Sequence, residues 1–318
     1  MIEPLEQRRL LSSVFLKGRT LNILGTDQAD DIQIQQQRET ETSVDGNVFF
    51  IRHLLVTVNG AFIGDFSTTD FDKVVVKLFG GNDFFQVGKK DISFDIDGGD
   101  GDDTIYGSLA PDVIRGGAGR NLLYGVGGND HFISISGADV LTGGNGNDTA
   151  DFGAFQTPLH ITIDDVADDE VPGRTGNVKS DIETVIGGGG ADFISANGIA
   201  NNPVALFGSG GNDTLIGGSR NDTIHGGPGN DSLRGGDGND FINGDGGRDK
   251  IYGENGDDTL MGSGKDPEFI PLPAQQPTDP NTLGGGSDGL ADSINGGSGD
   301  NTAFPDPFDV LTNIQTTL

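Results

Sequence analysis

The sequence predicts an all-β protein in which short parallel strands wind into a solenoid behind a β-rich N-terminal cap. Gly and Asp recur every nine residues over roughly half of the chain, and each period holds one short apolar triplet. Composition alone indicates the opposite, because 55 Gly, 33% hydrophobic residues and a net charge of −30 are typical of a disordered acidic polymer. The order of the residues, rather than their proportions, predicts a fold.

The N-terminal part of the chain precedes the repeats. Residues 1–18 are predicted to be an export-like or disordered segment, in which Leu5 to Ser12 resembles a short segment at the N-termini of some large bacterial surface proteins. The positive-then-apolar layout of a cleaved secretory signal is missing. Residues 19–97 alternate apolar and polar side chains, as at Val74 and Val76, which predicts a β-rich cap or a divergent start of the repeats.

The nine-residue units form two blocks. In the second block, residues 187–265, a gapless run from Gly208 reads GSGGNDTLI, GGSRNDTIH, GGPGNDSLR, GGDGNDFIN, GDGGRDKIY and GENGDDTLM. The first block, residues 98–151, keeps this frame, but Asn121 replaces the sixth-position Asp of one unit and Ala150 the eighth-position aliphatic residue of another. A Gly-rich turn and a brief strand account for nine residues, so two units return the chain to its starting edge.

The remaining segments are predicted from their composition. Residues 152–186 are predicted to be a β excursion between the blocks. Residues 266–283 carry five Pro, which cannot donate to a regular ladder, and are predicted to be an exposed loop. Residues 284–318 contain an isolated unit, Ser287 to Asn295, followed by an apolar stretch, which predicts terminal repeats and a C-terminal cap.

The predicted core is thin, because one apolar side chain in nine points into the coil. Burial of about 2 kcal/mol per Leu or Ile does not offset an ordering cost of about 1–2 kcal/mol per residue. The sixth-position Asp side chains would stack about 4.8 Å apart along each edge and repel one another. Ca²⁺ spans this spacing, since its oxygen ligands lie at about 2.3–2.6 Å, and Mg²⁺ fits less well. Several calcium ions in the turns are therefore the predicted source of stability.

The predicted metal ligands are the sixth-position aspartates of the two blocks. They are Asp103, Asp112, Asp130, Asp139, Asp148, Asp192, Asp213, Asp222, Asp231, Asp240, Asp249 and Asp258. The absence of Cys excludes a thiolate site, and 4 scattered His leave an oxygen-ligated metal as the expectation. The alternative is a series of solvated acidic turns that binds no ion.

These units resemble the hemolysin-type calcium-binding repeats, or RTX repeats, whose consensus is GGxGxDxUx. The resemblance implies a parallel β-roll or β-helix solenoid in which each ion lies between one turn and the turn two units later. Both Asp side chains and turn carbonyls would bind it, which pairs Asp213 with Asp231 and Asp222 with Asp240. The edge that contains Asn121 would bind calcium more weakly, because a neutral amide replaces a carboxylate.

The resemblance also implies a calcium-binding protein that is secreted, extracellular or at the cell surface. Such a chain leaves the cell unfolded through a type I channel and folds when it meets calcium outside. The expected role is structural, surface or adhesive, with calcium ions and extracellular polysaccharide or cell-surface components as partners. A net charge of −30 argues against nucleic acid as a partner, and no apolar stretch has the length of a membrane span.

No enzyme is predicted, because the sequence lacks HExxH and GxSxG motifs and a repeat-free stretch long enough for a separate catalytic domain. Two alternatives stay open. A polysaccharide lyase or epimerase on a β-helix would need a basic residue beside a calcium site, and the candidates are Lys89, Lys90, Arg115 and Arg234. A hemolysin-type toxin would need a pore-forming region, and no apolar or amphipathic helical stretch precedes the repeats.

Overall fold

A computed structural model describes residues 13–42, 48–88, 91–133, 139–171, 174–197 and 202–262, together with the strand residues 283–284, 293–295, 302–303 and 310–312. The described residues contain strands and turns and no helix, which confirms the all-β prediction. They form two compact units, 1–150 and 151–318. The proline-rich stretch 263–282, Lys89, Lys90 and residues 1–12 lie outside the described residues.

The strands of the first unit are short where the repeats are regular and long before them. They are β1 (Ser13–Lys17), β2 (Thr20–Leu24), β3 (Asp31–Thr42), β4 (Val48–Val58), β5 (Ala61–Ser67), β6 (Lys73–Lys77), β7 (Phe84–Val87), β8 (Phe94–Asp97), β9 (Thr104–Tyr106), β10 (Val113–Arg115), β11 (Leu122–Gly127), β12 (His131–Ile133), β13 (Val140–Asn145) and β14 (Thr149–Asp151).

The strands of the second unit follow the same scheme. They are β15 (His160–Thr162), β16 (Asp169–Val171), β17 (Arg174–Val178), β18 (Thr184–Ile186), β19 (Phe193–Ser195), β20 (Ala205–Phe207), β21 (Thr214–Ile216), β22 (Thr223–Gly229), β23 (Ser232–Asp237), β24 (Phe241–Gly247), β25 (Lys250–Asn255), β26 (Thr259–Met261), β27 (Leu283–Gly284), β28 (Ser293–Asn295), β29 (Thr302–Ala303) and β30 (Val310–Thr312).

The first unit is a parallel coil, because consecutive strands from β6 to β14 alternate between two sheets. One sheet has the order β1-β2-β6-β8-β10-β12-β14 and the other β13-β11-β9-β7-β3-β4-β5. Leu123 pairs with Leu141 and Ile114 with Phe132, which lie one coil turn apart. Two nine-residue units therefore complete one turn, as the sequence predicts.

The N-terminal cap is built from the same coil. Strand β2 pairs in parallel with β6, and β3 with β7, so the coil begins at Thr20, well before the first block. Strand β1 pairs antiparallel with β2, and β4 and β5 extend β3 as an antiparallel meander. The divergent start and the cap are thus one structure.

The second unit winds in the same way. One sheet has the order β18-β20-β22-β24-β26-β27, with β29 also paired to β26, and the other β30-β28-β25-β23-β21-β19-β15-β16-β17. In the excursion between the blocks, β15 pairs in parallel with β19, while β16 and β17 form an antiparallel hairpin. Strands β28 and β30 continue the parallel ladder from β25, so the coil extends beyond the second block.

Each unit buries one row of eighth-position side chains per sheet. Their relative exposure is 0–1% in both blocks: Ile105, Ile114, Leu123, Phe132, Leu141, Ala150, Leu215, Ile224, Leu233, Ile242, Ile251 and Leu260. The sequence predicts these residues to point inward. Apart from the buried Asn243, the seventh- and ninth-position side chains that flank these residues are half-buried or exposed, so each of these strands contributes a single apolar side chain to the interior.

The turns stack so closely that most fourth positions leave no room for a side chain, although Ala110 and Arg220 stand at this position in two units. At Gly247 (φ 142) and Gly256 (φ 136), a Cβ would overlap the carbonyl oxygen of the equivalent Gly one coil turn earlier, Gly229 and Gly238. The positive φ is itself costly for a residue with a side chain. Steric contact between turns, as well as the turn conformation, therefore accounts for the Gly content.

An asparagine ladder joins the same turns on their outer side. The N–H of Asn230 donates to Asn212 Oδ1 at 2.8 Å, and the N–H of Arg248 donates to Asn230 Oδ1 at 2.9 Å, each across 18 residues. Asn239 and Asn221 form the same bond on the other edge at 2.9 Å. The fifth position therefore favours Asn because its side-chain oxygen accepts the N–H of the fifth residue one coil turn later, a role that the repeat pattern alone does not reveal.

We expect Ile224→Ala to destabilise the second unit by about 2–5 kcal/mol, because Ile224 is completely buried and its truncation leaves a cavity in a row of single apolar side chains. The measurement is denaturant unfolding at saturating calcium. The matched control is Val166→Ala, at a side chain that is 56% exposed, and it should shift stability by no more than about 0.5 kcal/mol. Equal losses from both variants would contradict this account of the core.

Candidate metal centre

The predicted ligands lie where each turn meets its strand, with their carboxylates inside the turn. All of them are buried, with relative exposures of 0–4%: Asp103, Asp112, Asp130, Asp139, Asp148, Asp192, Asp213, Asp222, Asp231, Asp240, Asp249 and Asp258. Alternation places them there, because the sixth residue shares the inward face with the eighth. Buried carboxylates are rare unless they are paired or bind a cation.

One carboxylate oxygen of each ladder member is held by the backbone. The N–H of Asp213 donates to Asp231 Oδ1 at 2.7 Å, and the N–H of Asp231 donates to Asp249 Oδ1 at 2.8 Å. On the other edge, the N–H of Asp222 donates to Asp240 Oδ1 at 2.8 Å. The structure thus brings together the pairs that the resemblance implies, at a spacing of 18 residues.

The second oxygen of many of these side chains is buried and has no hydrogen-bond partner in the part of the chain that the structure describes. Among the predicted ligands this holds for Oδ2 of Asp103, Asp130, Asp213, Asp231, Asp240 and Asp258. A buried polar atom without a partner costs about 1–3 kcal/mol, and more when it is charged. Because the same open atom recurs in turn after turn, these oxygens have the arrangement expected of cation ligands.

These open oxygens face other oxygens across the first-position Gly. A Cβ on Gly235 would collide with Asp240 Oδ2 and lie 2.8 Å from the carbonyl oxygen of Gly253. A Cβ on Gly226 would likewise meet Asp231 Oδ2 and lie 2.7 Å from the Gly244 carbonyl oxygen. A carboxylate and a carbonyl converging on one small space form a cradle for a hard cation such as Ca²⁺.

The electrostatics of the turns point the same way. Burial, followed by neighbouring carboxylates, raises the pKa of Asp130 to about 8 against a backbone N–H bond that lowers it. The same causes raise the pKa of Asp213 and Asp240 to about 7. Near neutral pH the columns must therefore take up protons or gain a cation. Among the described residues no three His, Asp or Glu side chains surround one point, so a cation would need turn carbonyls as well as the paired aspartates.

In the worn unit of the first block, the side chain of Asn121 forms hydrogen bonds in place of a bound cation. Asn121 Oδ1 accepts the N–H of Asp103 at 2.9 Å, as a ladder carboxylate would. Its Nδ2, however, stands where the open oxygen would be and donates to Asp139 Oδ1 at 2.9 Å. The amide thereby supplies the neutralising contact that other turns lack, which agrees with the expectation of weak calcium binding on this edge.

Asp112, Asp192 and Asp222 differ from the other predicted ligands. Their Oδ2 accepts an N–H from their own turn: Ser108 at 2.6 Å, Gly188 at 2.8 Å and Gly218 at 2.6 Å, respectively. Their Oδ1 accepts a second N–H, so both oxygens are satisfied. The spacing of the sequence does not distinguish them from the aspartates with open oxygens.

Sequence reasoning missed Asp83. This residue is 3% exposed, its Oδ2 has no hydrogen-bond partner within the described residues, and burial raises its pKa to about 7. The N–H of Asp83 donates to Asp103 Oδ1 at 2.9 Å, so it extends that column by one turn. The signal was present as Gly80-Gly81-Asn82-Asp83, but Leu78 stands where the unit would begin with Gly.

Several segments of the chain match the family model of the RTX calcium-binding nonapeptide repeat. They are residues 97–132, 136–156, 179–198, 207–242 and 234–264. The chain is an RTX repeat protein. RTX repeats bind calcium ions and form β-rolls. This protein therefore binds calcium, and its parallel coil is a β-roll. No curated protein matches the chain.

Two of the basic residues considered for catalysis lie within the described part of the RTX repeat protein. Arg115, a candidate catalytic base, pairs with Asp95, which also binds Lys73 Nζ at 2.8 Å. Arg234 pairs with Glu254 at 3.2 Å and lies over the ring of Tyr252. Both arginines thus form ion pairs with neighbouring residues on the outer sheet face.

Among the described residues, no helix has the length and apolarity that a membrane crossing requires.

Gly235→Ala is expected to cost about 1–3 kcal/mol of stability in calcium and to weaken calcium binding, because its Cβ would occupy the space between Asp240 Oδ2 and the Gly253 carbonyl. Calcium titration and denaturant unfolding measure the two effects. Gly210→Ala is the matched control, since a Cβ there meets no atom within 4 Å, and it should change stability by no more than about 1 kcal/mol. If both variants behave alike, the cradle does not depend on Gly235.

In chelator, we expect the protein to be more folded in acid than at neutral pH. The folded-state pKa of Asp130 is about 8, well above the value of about 3.9 in an unfolded chain. Folding therefore takes up protons, and the stability present below about pH 4 is lost as pH rises towards about pH 8. Far-UV circular dichroism of the chelated protein across this range measures the effect. A β signal that instead grows with pH would contradict it.

Proposed function

We propose that this RTX repeat protein is secreted, folds on calcium binding outside the cell, and has a structural, surface or adhesive role rather than a catalytic one. The observation that carries the proposal is the set of buried, open carboxylate oxygens that recur once per coil turn. A roll with this feature is incomplete without a cation. Calcium therefore acts as part of the fold rather than as an accessory to it.

The turns provide what a calcium ion requires. Aspartates such as Asp213 and Asp231 supply carboxylate oxygens from consecutive coil turns, and first-position glycines such as Gly226 and Gly244 supply carbonyl oxygens beside them. Ca²⁺ prefers six to eight oxygen ligands in flexible geometry, which a Gly-rich turn can adjust to meet. When bound, the ion supplies the positive charge that neutralises neighbouring carboxylates.

Export follows from the same charges. With calcium absent, a chain of net charge −30 and one apolar core residue per nine has little to drive folding, so it stays extended enough to be exported as a thread. Extracellular calcium modules typically bind with Kd values of about 10⁻⁴–10⁻³ M, so the ion that drives folding is met outside the cell. Its partners would then be extracellular polysaccharide or cell-surface components.

A non-catalytic role is proposed because Arg115 and Arg234, the two candidate basic groups within the described residues, are engaged elsewhere. Arg115 shares Asp95 with Lys73, and Arg234 pairs with Glu254. A lyase or epimerase needs a base held near neutrality beside bound substrate, whereas these guanidinium groups neutralise adjacent acids on the outer face.

Titration of the chelated protein with calcium at neutral pH should produce a cooperative gain of far-UV β signal. The physical reason is that each ion neutralises two stacked carboxylates and so joins consecutive turns. Magnesium at equal concentration should give a much smaller change, because it holds its waters and demands shorter bonds.

Two outcomes would count against the proposal. A folded spectrum in chelator at neutral pH that calcium leaves unchanged would show that the roll stands without metal. Export is measured by recovering the chain from the culture medium. If the protein stays inside the cells and is not degraded there, export is contradicted.

A further inference from the structure

The turns that carry the inward Asp occur in two backbone conformations, which differ at the second residue of the unit. In the first, here called the open turn, the second residue has a positive φ. Glycines adopt it, and so do side-chain-bearing residues that tolerate it poorly: Phe79 (φ 73), Val126 (φ 80), Ser209 (φ 73), Asp245 (φ 65) and Glu254 (φ 72). Positive φ at a β-branched residue such as Val126 is a genuine outlier. Strain at this position is therefore systematic rather than accidental.

In the second conformation, here called the capped turn, the N–H of the second residue points inward and donates to Oδ2 of the Asp in the same turn. Four turns do this. The bonds join Thr26 to Asp30 at 2.7 Å, Ser108 to Asp112 at 2.6 Å, Gly188 to Asp192 at 2.8 Å and Gly218 to Asp222 at 2.6 Å. Thr26, Ser108 and Gly188 do not have a positive φ.

The φ of the second residue correlates with the hydrogen bonding of Oδ2 in the same turn. Phe79 and Val126, in open turns, precede Asp83 and Asp130, whose Oδ2 atoms have no hydrogen-bond partner within the described residues. Turning the second peptide to positive φ takes its N–H away from the carboxylate. The strained conformation thus leaves an oxygen available, and the relaxed one uses it.

Capped turns stand where a column of aspartates begins. The Oδ1 atoms of Asp112, Asp192 and Asp222 accept N–H groups from residues of other types in the preceding turn: Phe94 at 2.7 Å, Leu159 at 2.9 Å and Val204 at 2.9 Å. Asp30 Oδ1 accepts Asn59 Nδ2 at 2.8 Å. The next Asp in each column, as at Asp130 after Asp112, lies in an open turn. Each column therefore starts with a carboxylate whose negative charge is stabilised by hydrogen bonds alone.

We propose that the second residue of each turn decides whether its Asp binds calcium: capped aspartates begin a column as metal-free caps, and open ones, including Asp83, are ligands. The proposal rests on calcium binding by these columns. It removes Asp112, Asp192 and Asp222 from the predicted ligands and adds Asp83, which lies outside the matched repeat segments. A capped turn could bind calcium only by breaking a bond of 2.6–2.8 Å and turning its second residue, which Thr26 and Ser108 resist.

The proposal predicts a difference in calcium stoichiometry between two neighbouring aspartates. Asp83→Asn should lower the number of ions bound per chain by at least one, because an amide replaces an open oxygen. Asp30→Asn should bind as many ions as the unmodified protein, although it loses a charged acceptor for the Thr26 N–H. Equilibrium dialysis at saturating calcium, with the metal measured by atomic emission, gives the number. Circular dichroism of the same samples shows that each variant is folded.

A second pair in the other unit repeats the test where either N-terminal variant fails to fold. Asp240→Asn should lose at least one ion, and Asp222→Asn none. Equal losses within both pairs, or a loss at the capped member alone, would overturn the proposal. An unmodified protein that binds no calcium would instead refute the proposed function, so the two failures are distinguishable.

Discussion

The structure depends on a carboxylate placed inside a turn, where one oxygen joins consecutive coil turns and the other is left without a donor. The Oδ1 contact, as between the Asp222 N–H and Asp240, sets the register of the ladder. The Oδ2 atom of Asp240 makes that register costly unless a cation is bound. One side chain thus provides both the specificity of the fold and its dependence on calcium.

Glycine serves this arrangement in two distinct ways. At the first position it makes room for the open oxygen, as Gly235 does for Asp240, and at the fourth it lets turns stack, as Gly247 does against Gly229. Neither role is mainly about flexibility. Both follow from the spacing of about 4.8 Å between parallel strands, which leaves no space for a Cβ at Gly235 or Gly247.

The same ladder explains why the core can be so small. One aliphatic side chain per strand would not hold a chain of this charge together, yet Ile224 and Leu233 are completely buried. Backbone ladders, the fifth-position Asn bonds and the aspartate contacts join the turns, while the apolar row aligns them. Asn121 shows that the ladder tolerates a neutral substitute, since its amide donates to Asp139 where an ion would otherwise be needed.

The coil, the inward rows and the candidate ligands could be predicted from the sequence, because a nine-residue period maps directly onto a repeated turn and strand. Other features became visible only in the folded structure. It extended the coil back to Thr20, in a stretch where the sequence left a cap and divergent repeats as alternatives, and it placed Asp83 in a column although Leu78 replaces its first Gly. The structure also distinguishes Asp222, whose Oδ2 accepts a hydrogen bond, from Asp240, whose Oδ2 has no partner among the described residues. The two residues occupy the same position in the repeat. Their difference lies in the hydrogen bond that the Gly218 N–H donates to Asp222 Oδ2 and in the preceding turn, Val204 or Asp222. It therefore depends on contacts between turns as well as on the unit itself.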